Sequence, residues 1–369
     1  MWIVIFGAVF IAAIACFWYL CSRVYLFVPE IKNVGGTNVR WRVFASCTAV
    51  ICFFTMFSLM LGYMNAIIIV VHLALFWLLS DLLFFIIKKI RKKGFKYNFA
   101  AALAVVATFV YLTVGFVLAN NVYVTRYDMY TDKYVGELRI ILFADSHVGA
   151  TFDGEGLAEY CKRMNEYDPD IVVISGDFVD DETTRENMIA ACKSLGTLTP
   201  EYGVFYVFGN HDKGYYDNAL RGFTVSDLVD NLTGNGVTVL EDEAVLINDR
   251  FYVIGRADAS EKDRAEISAL TADLDKTKYA VVLNHQPTDY KNESVSSVDL
   301  VLGGHTHGGQ MAPIGLISDL FGLNDRTYGS EKRGNTNFVV TSGISDWEIK
   351  FKTGCFSEFV VVDVHGKKN

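Results

Sequence analysis

Apolar residues follow two regimes along this chain, and the change comes near residue 120. Before it, four long runs are apolar on every face: Trp2 to Cys21, Val43 to Gly62, Ala66 to Ile87 and Phe99 to Ala119. Each has the ~20 residues needed to cross ~30 Å of hydrocarbon at ~1.5 Å per residue, so residues 1–120 are expected to form a region of four transmembrane helices. A cleaved signal peptide is the alternative for the first run, which lacks a basic leading segment and a convincing small-residue cleavage site.

After residue 120 the runs shorten. Residues 121–136 are polar and read as a linker. Then "LRIILFAD" ends at Asp145, "DIVVISGD" at Asp177, "GVFYVFGNHD" at Asp212, "YAVVLNHQP" at Pro287 and "VDLVLGGHTH" at His307. Their short Val, Ile, Leu and Phe cores suit strands buried on both faces. Between them "EGLAEYCKRMNEY" and "TTRENMIAACKSLGTL" have helical spacing, with Thr183 or Thr184 placed to cap the second. Later strand-like runs, "RFYVIGR", "NFVVTSG" and "EFVVVDV", are enough for a second sheet or an antiparallel extension. Residues 137–369 therefore read as one α/β domain, with its polar residues gathered where strands end.

Charge divides at the same place. Residues 1–120 hold ten Lys and Arg against Glu30 and Asp81, and the remainder holds 23 basic against 40 acidic residues, a net of −17. The basic residues orient the bundle, because Lys and Arg beside membrane helices stay cytoplasmic. Arg23, Lys32, Arg40 and Arg42 lie between the first two runs and "KKIRKKGFK" between the last two, whereas "YMNA" has none. The N-terminus and the α/β domain are thus expected outside the cytoplasm. Cys16, Cys21, Cys47 and Cys52 belong with the apolar runs, and Cys161, Cys192 and Cys355 show no metal-type spacing and no disulfide framework. A domain so acidic, with no basic stripe, is a poor partner for nucleic acid.

The candidate chemistry lies at the strand ends. Of seven histidines, His147, His211, His285, His305 and His307 all follow strand-like runs, as do Asp145, Asp177 and Asn210. Each block has an ordinary reading: "DSH" as a helix cap, "SGD" as a strand-to-turn ending, "GNHD" as a turn, His285 as a satisfied core histidine. Together, eight oxygen or imidazole side chains on one edge would be a costly cluster without counter-ions. Divalent cations resolve that, because carboxylate, imidazole and amide oxygen are all competent ligands.

In this arrangement the sequence resembles the calcineurin-like metallophosphoesterase superfamily, whose pattern is D-x-H, G-D, G-N-H-[DE], H and G-H-x-H. Here these stand as Asp145-Ser146-His147, Gly176-Asp177, Gly209-Asn210-His211-Asp212, His285 and Gly304-His305-Thr306-His307. The match spans about residues 137 to 364. The longer forms "DSHVG", "NHQPTD" and "GHTHGGQ" are most similar to the branch of membrane-associated phosphodiesterases of the YkuE and YaeI type. The resemblance implies a four-layer αββα sandwich of two mixed sheets with helices outside. It also implies two divalent metal ions, one held by Asp145, His147, Asp177 and His307, the other by Asp177, Asn210, His285 and His305, with Asp177 shared.

Two ions about 3.5 to 4 Å apart would lower the pKa of a bridging water and offset charge on the attacking and leaving oxygens, and the resulting hydroxide would attack phosphorus in line. His211, adjacent to a ligand, is free to face substrate and protonate the leaving oxygen, with Asp212 expected to orient it. The metals expected are Mn, Fe or Zn.

The sequence departs from the branch near its end. Where relatives have a Gly-x-Gly turn, an arginine and a Pro-Glu pair, this chain has Ser345 at the second glycine, Lys350 and Lys352 as the nearby cations, and Ser357-Glu358. Outside the motifs, Asp81 in an apolar run suggests function by default, but a snorkelling or paired carboxylate serves equally. His72 reads as a packing residue. Arg256 could neutralise a phosphate, although a surface arginine is commoner. "DDE" from Asp180 and "EDE" from Glu241 read as solvated turns.

The function expected is a membrane-anchored phosphoesterase that hydrolyses a phosphodiester, pyrophosphate or phosphomonoester, on a lipid-linked or membrane-surface substrate. The rivals are an inactive metal-stabilised scaffold and the regulatory domain of a membrane receptor or transporter.

Overall fold

A computed structural model describes residues 2–30, 32–33, 36–37, 39–95, 97–215 and 221–368, with backbone alone for 2–10, 32, 33, 36 and 37. The expected cation Lys96, and the side chain of Lys32, lie outside the described residues. The chain divides into two compact units, Met1–Val114 and Gly115–Asn369.

The first unit holds α1 (Trp2–Val24), a two-residue hairpin of β1 (Lys32–Asn33) and β2 (Gly36–Thr37), α2 (Val39–Leu61), α3 (Tyr63–Arg91) and most of α4 (Phe99–Asn120). Helices α2, α3 and α4 are long and apolar enough to cross a membrane. Leu20 and Cys21 of α1 join Val50, Ala74, Trp77 and Ala104 of these helices in a buried cluster. Asp81 is a paired carboxylate: the Tyr19 hydroxyl donates to its Oδ2 at 2.7 Å and Arg23 Nε lies 2.8 Å away. His72 packs as expected, stacked on Tyr111, with Nδ1 at 2.8 Å from the Ile68 carbonyl.

The second unit is built on two six-stranded mixed sheets. The first runs β3 (Tyr123–Tyr130), β14 (Glu358–His365), β4 (Glu137–Phe143), β5 (Ile171–Ser175), β6 (Val204–Val207), β7 (Val237–Val239). The second runs β12 (Gly329–Arg333), β13 (Thr336–Val340), β11 (Leu300–Gly303), β10 (Tyr279–Leu283), β9 (Phe251–Gly255), β8 (Glu243–Ile247). Alternate residues of each strand face opposite ways, and this makes the layers. Ile140, Leu142, Ile171 and Val173 meet Val253, Val281, Leu283 and Leu302 between the sheets. Ile141, Phe143, Val172 and Ile174 face outward under α5 (Leu157–Asn165), α6 (Arg185–Leu195) and α7 (Val225–Gly234). On the far side Ile254, Val282, Val301 and Phe338 pack with Ile267 of α8 (Ile267–Leu270) and Tyr290 of α9 (Tyr290–Glu293). Of the two candidate caps, Thr184 is the one used, accepting from the Asn187 N–H.

The expected linker is a correction. Residues 123–130 form β3, paired in parallel with β14 from Tyr123↔Glu358 to Tyr130↔His365. "YVTRYDMY" alternates β-formers with polar residues on an edge strand with one half-exposed face, and that dilutes the apolar signal without removing strand preference. Because β14 is antiparallel to β4, Tyr123 starts at the edge where β4 delivers Asp145.

Candidate metal centre

Strands β4, β5 and β6 run parallel in one sheet and β10 and β11 run parallel in the other, and the turns that follow them meet at one edge, where His285 faces Asp177 and His307 groups with Asp145. Those turns bring seven expected ligands together. Asp145, His147 and His307 form one group, and Asp177, His285 and His305 a second, with the ligand atoms of each group within 4.8 Å of one another. Asp177 Oδ2 stands between them, 3.8 Å from His147 Nε2 and 3.1 Å from His285 Nε2. Asn210 Oδ1 lies 3.2 Å from His285 Nε2, beside the second group. Ligand atoms about 2.1 Å from a shared ion sit roughly 3 to 3.5 Å from each other, so these spacings suit cation binding with small adjustment.

The backbone is bent to make this possible. Asp145, His147, Asp177, His305 and His307 all have φ between 37° and 73°, a left-handed region that non-glycine residues seldom enter. Such strain at five ligand positions turns each side chain back over the sheet edge. Gly209 is required by proximity, since a Cβ there would collide with the Asp177 carboxylate.

Histidine tautomers are fixed from behind. His285 Nδ1 lies 2.7 Å from the Ser175 carbonyl, and His147 Nδ1 is 3.1 Å from Asp180 Oδ2, so each ring presents Nε2 to the site. His147 Nε2 and His307 Nδ1 are buried with no hydrogen-bond partner among the described residues. Buried nitrogens left open in a cluster of carboxylates and imidazoles fit a pair of divalent cations.

The protonation pattern agrees. Burial alone would raise Asp177, but the facing His285 and His147 imidazoles hold it well below the ordinary carboxylate range. Burial, with the Asp177 charge, lifts Asp145 to about 6. Burial opposes charge on His285, yet Asp177 and Asp145 push it up to about 10; His147 also rises, burial being outweighed by Asp180 and Asp177. Burial lowers His305 to about 4 and pushes His307 well down. Each group thus pairs one imidazole biased to the charged form with one biased to the neutral form.

His211 stands at the mouth. Its backbone N–H donates to Asp177 Oδ1 at 2.9 Å, and its ring is bordered by His147, Tyr215 and Trp347 at centroid distances of 5.1, 5.0 and 5.5 Å. Burial lowers its pKa, favouring the neutral imidazole. Asp212 does not orient it. Its buried carboxylate accepts the N–H groups of Asp177, Phe178, Val179 and Gly209, clamping the Asp177 turn. A carboxylate fully occupied by four amides has none left for an imidazole.

Three residues outside the motifs differ from their sequence readings. Asp180 is buried, and besides His147 it accepts from Glu182 N and Thr183 N; its position in a "DDE" run masked this. Arg256 is not a surface residue: it is buried, with Nη1 2.9 Å from Asp289 and 2.8 Å from Glu293. Lys352 is fully buried and donates to the carbonyls of Ser342 at 2.9 Å and Ser345 at 3.0 Å and to Ser357 Oγ at 3.0 Å. It supports the loop carrying Trp347 from beneath. Glu358 accepts from Thr341 Oγ1 and Ser342 N and holds the same loop.

Comparison with known proteins places this site in a family. The calcineurin-like phosphoesterase profile matches residues 138–309, which include every expected ligand. A metallophosphoesterase of Aquifex aeolicus is 33% identical over 67% of this chain and 93% of its own length. YkuE of Bacillus subtilis, also described as a metallophosphoesterase, is 27% identical over 56% of this chain and 71% of its own. A bovine transmembrane protein with a metallophosphoesterase domain is 27% identical over 70% of this chain and 60% of its own. Relatives in Campylobacter jejuni and Helicobacter pylori are longer, and the chain spans 60% and 59% of their lengths.

Proposed function

The chain belongs to the calcineurin-like phosphoesterase family, and from that premise we propose that it is a membrane-anchored dimetal hydrolase of phosphate esters. The observation that carries this reading is the pair of His/Asp groups on one sheet edge, joined through Asp177 Oδ2. Asp145, His147, Asp177 and His307 are assigned to one ion, and Asp177, Asn210, His285 and His305 to the other. Mn, Fe and Zn all accept this mixed nitrogen and oxygen set.

When bound, two such ions supply Lewis acidity and activate water at neutral pH. The protein's own groups do the rest. Asp177, anchored by the His211 N–H and the Asp212 clamp, fixes the spacing of the two groups. His211, outside both, directs a ring N–H at the leaving oxygen as charge develops there. Tyr215 and Trp347, each about half exposed, flank it and give an aryl or acyl leaving group an apolar wall. A phosphodiester is the preferred bond, followed by a pyrophosphate and a monoester, carried on a lipid or at a membrane surface. A domain at −17 repels polyanions and disfavours nucleic acid.

The test is hydrolysis of an aryl phosphodiester by the full-length protein with Mn²⁺, beside Asp177→Asn. The substitution is expected to lower turnover by at least about a thousandfold. Equal activity in both proteins would overturn the reading, as would inactivity of the unsubstituted chain across Mn, Fe and Zn. The basic loops further support four membrane spans with the α/β domain on the extracytoplasmic side. Protease digestion of that domain in intact cells is the expected result, and digestion only after lysis would reverse the orientation.

A further inference from the structure

Immediately after His307 the chain forms a helix, α10 (Ile314–Phe321), whose exposed face is almost wholly apolar. Leu316, Leu320 and Phe321 are 73%, 77% and 71% exposed, and Ile314, Ile317 and Leu323 are exposed beside them. The helix has one charged residue, Asp319, which accepts from the Thr327 N–H. Single exposed apolar residues need no explanation, but five on one short helix, with Leu323 just beyond its end, form a patch of the kind that marks an interaction surface.

The inner face of α10 is joined to the candidate metal centre backbone to backbone. A Cβ on Gly309 would collide with Gly315, and one on Gly308 would strike Cys355 and Ser342. Helix and His307 turn are therefore one rigid piece, further fixed by the bond from Thr306 Oγ1 to the Thr327 carbonyl. What covers the outer face is indicated by the chain that adjoins it. The strap of residues 351–357 touches the segment that leads into α10, with Thr353 Oγ1 accepting from Ala312 N and Gly354 packed on Met311 and Ala312. The same strap receives the last turns of α4: Lys352 N donates to the Gly115 carbonyl at 3.0 Å and Ser357 N to the Leu118 carbonyl at 3.0 Å. Phe116 and Val117 of those turns are themselves exposed. The end of an apolar helix of membrane-crossing length, the apolar face of α10 and the metal edge thus share one end of the α/β unit.

We propose that α10 is a membrane-docking helix that seats Leu316, Leu320 and Phe321 among the acyl chains at the bilayer surface. It holds the metal edge at the lipid–water boundary, and the ester taken there is the phosphate ester of an amphiphile resident in that bilayer. Burial in the outer few ångströms of acyl chain suits a helix with this face, and the adjoining anchor raises its effective concentration at the surface. The substrate half rests on the phosphoesterase reading; the docking half does not.

The experiment uses the full-length protein in phospholipid nanodiscs. Leu320→Cys carries an environment-sensitive fluorophore, and Lys276→Cys, exposed at the opposite end of the same unit, is the control. The contribution of native cysteines is measured on the unsubstituted chain and subtracted. Brominated acyl chains are expected to quench residue 320 by about half or more and leave residue 276 unchanged. No quenching at 320, whether the face is bare or covered by a second copy, overturns the docking. In a second arm Leu316→Gln/Leu320→Gln/Phe321→Gln is expected to hydrolyse a soluble aryl phosphodiester within about twofold of the unsubstituted chain, and to lose about tenfold on an amphiphilic phosphodiester in the nanodisc. Equal losses on both substrates overturn the substrate half. If the unsubstituted chain hydrolyses neither, the phosphoesterase reading fails while the quenching result still decides the docking.

Discussion

Two histidines at opposite edges of the α/β unit, one ending β14 and one following β10, show what separates an ion site from an ion pair. His365, at the end of β14, has Nδ1 2.7 Å from Glu137 and Nε2 3.0 Å from Asp128. His285, beyond β10, has Nδ1 2.7 Å from a carbonyl and Nε2 3.1 Å from Asp177. The distances are nearly the same, but the surroundings are not. The His365 ring is one-third exposed and its acids are more than half exposed, so both nitrogens are closed by groups that water also solvates. The His285 ring is fully buried, and the carboxylate it meets is shared with a second imidazole. Lys133 with Asp299 and Lys278 with Asp249 close the far edge as further ion pairs. At the metal edge charges outnumber partners, backbone angles are strained and nitrogens are left open.

The largest way to sharpen that contrast is to remove a group from the metal edge that is not a ligand. His211→Ala is expected to lower kcat by about 10² to 10⁴, the range for a positioned general acid or charge stabiliser. Both metal ions should stay bound, because its ring belongs to neither group. Metal content by elemental analysis, alongside turnover, checks this, and loss of an ion would make His211 a structural member of the centre instead.

Removing support from behind a ligand should have a smaller effect of a different kind. Asp180→Asn keeps the shape but weakens the hold on His147 Nδ1, and metal affinity is expected to fall by about 10 to 100-fold. The unsubstituted chain should also bind Mn²⁺ more tightly as pH rises from about 6 to 9, because an ion must displace protons held by His285 and His147, whose pKa values are raised. Calorimetry in buffers of different ionisation enthalpy reads the released protons directly. An affinity indifferent to pH would mean that the charged imidazoles are not the ones displaced.

How much of this was legible beforehand follows the same physical division. Strands buried on both faces announce themselves as apolar runs, and each expected ligand ends or follows one, so the metal edge was readable from spacing. Strand β3 was not, because its support comes from β14, more than 230 residues away, and its own alternation is diluted at an edge. Asp180, Glu358 and Lys352 were hidden for a related reason. A carboxylate in an acidic run, or a lysine in a loop, becomes buried only through partners distant in sequence. The apolar helix α10 carried the opposite ambiguity: "IGLISDLF" has the pattern of a core helix, and only the structure shows that its apolar face is the outer one.

The smallest expected effect lies at the far edge, where His365→Ala tests whether an exposed pair of the same geometry has any bearing on catalysis. Hydrogen bonds from the charged ring to the Asp128 and Glu137 carboxylates raise the His365 pKa above its ordinary value. A histidine raised on folding adds stability that is fully present below its ordinary pKa of about 6.5 and is lost as pH climbs through the folded value. Solvent screening keeps the contribution within about 1 kcal/mol. Thermal denaturation of the full chain should therefore show a small deficit for the variant near pH 6 and none near pH 9, with phosphodiester turnover unchanged at both. A loss of turnover comparable to that of His211→Ala would mean that the two edges of the α/β unit are coupled, and that the contrast between open and closed histidines does not by itself mark the functional edge.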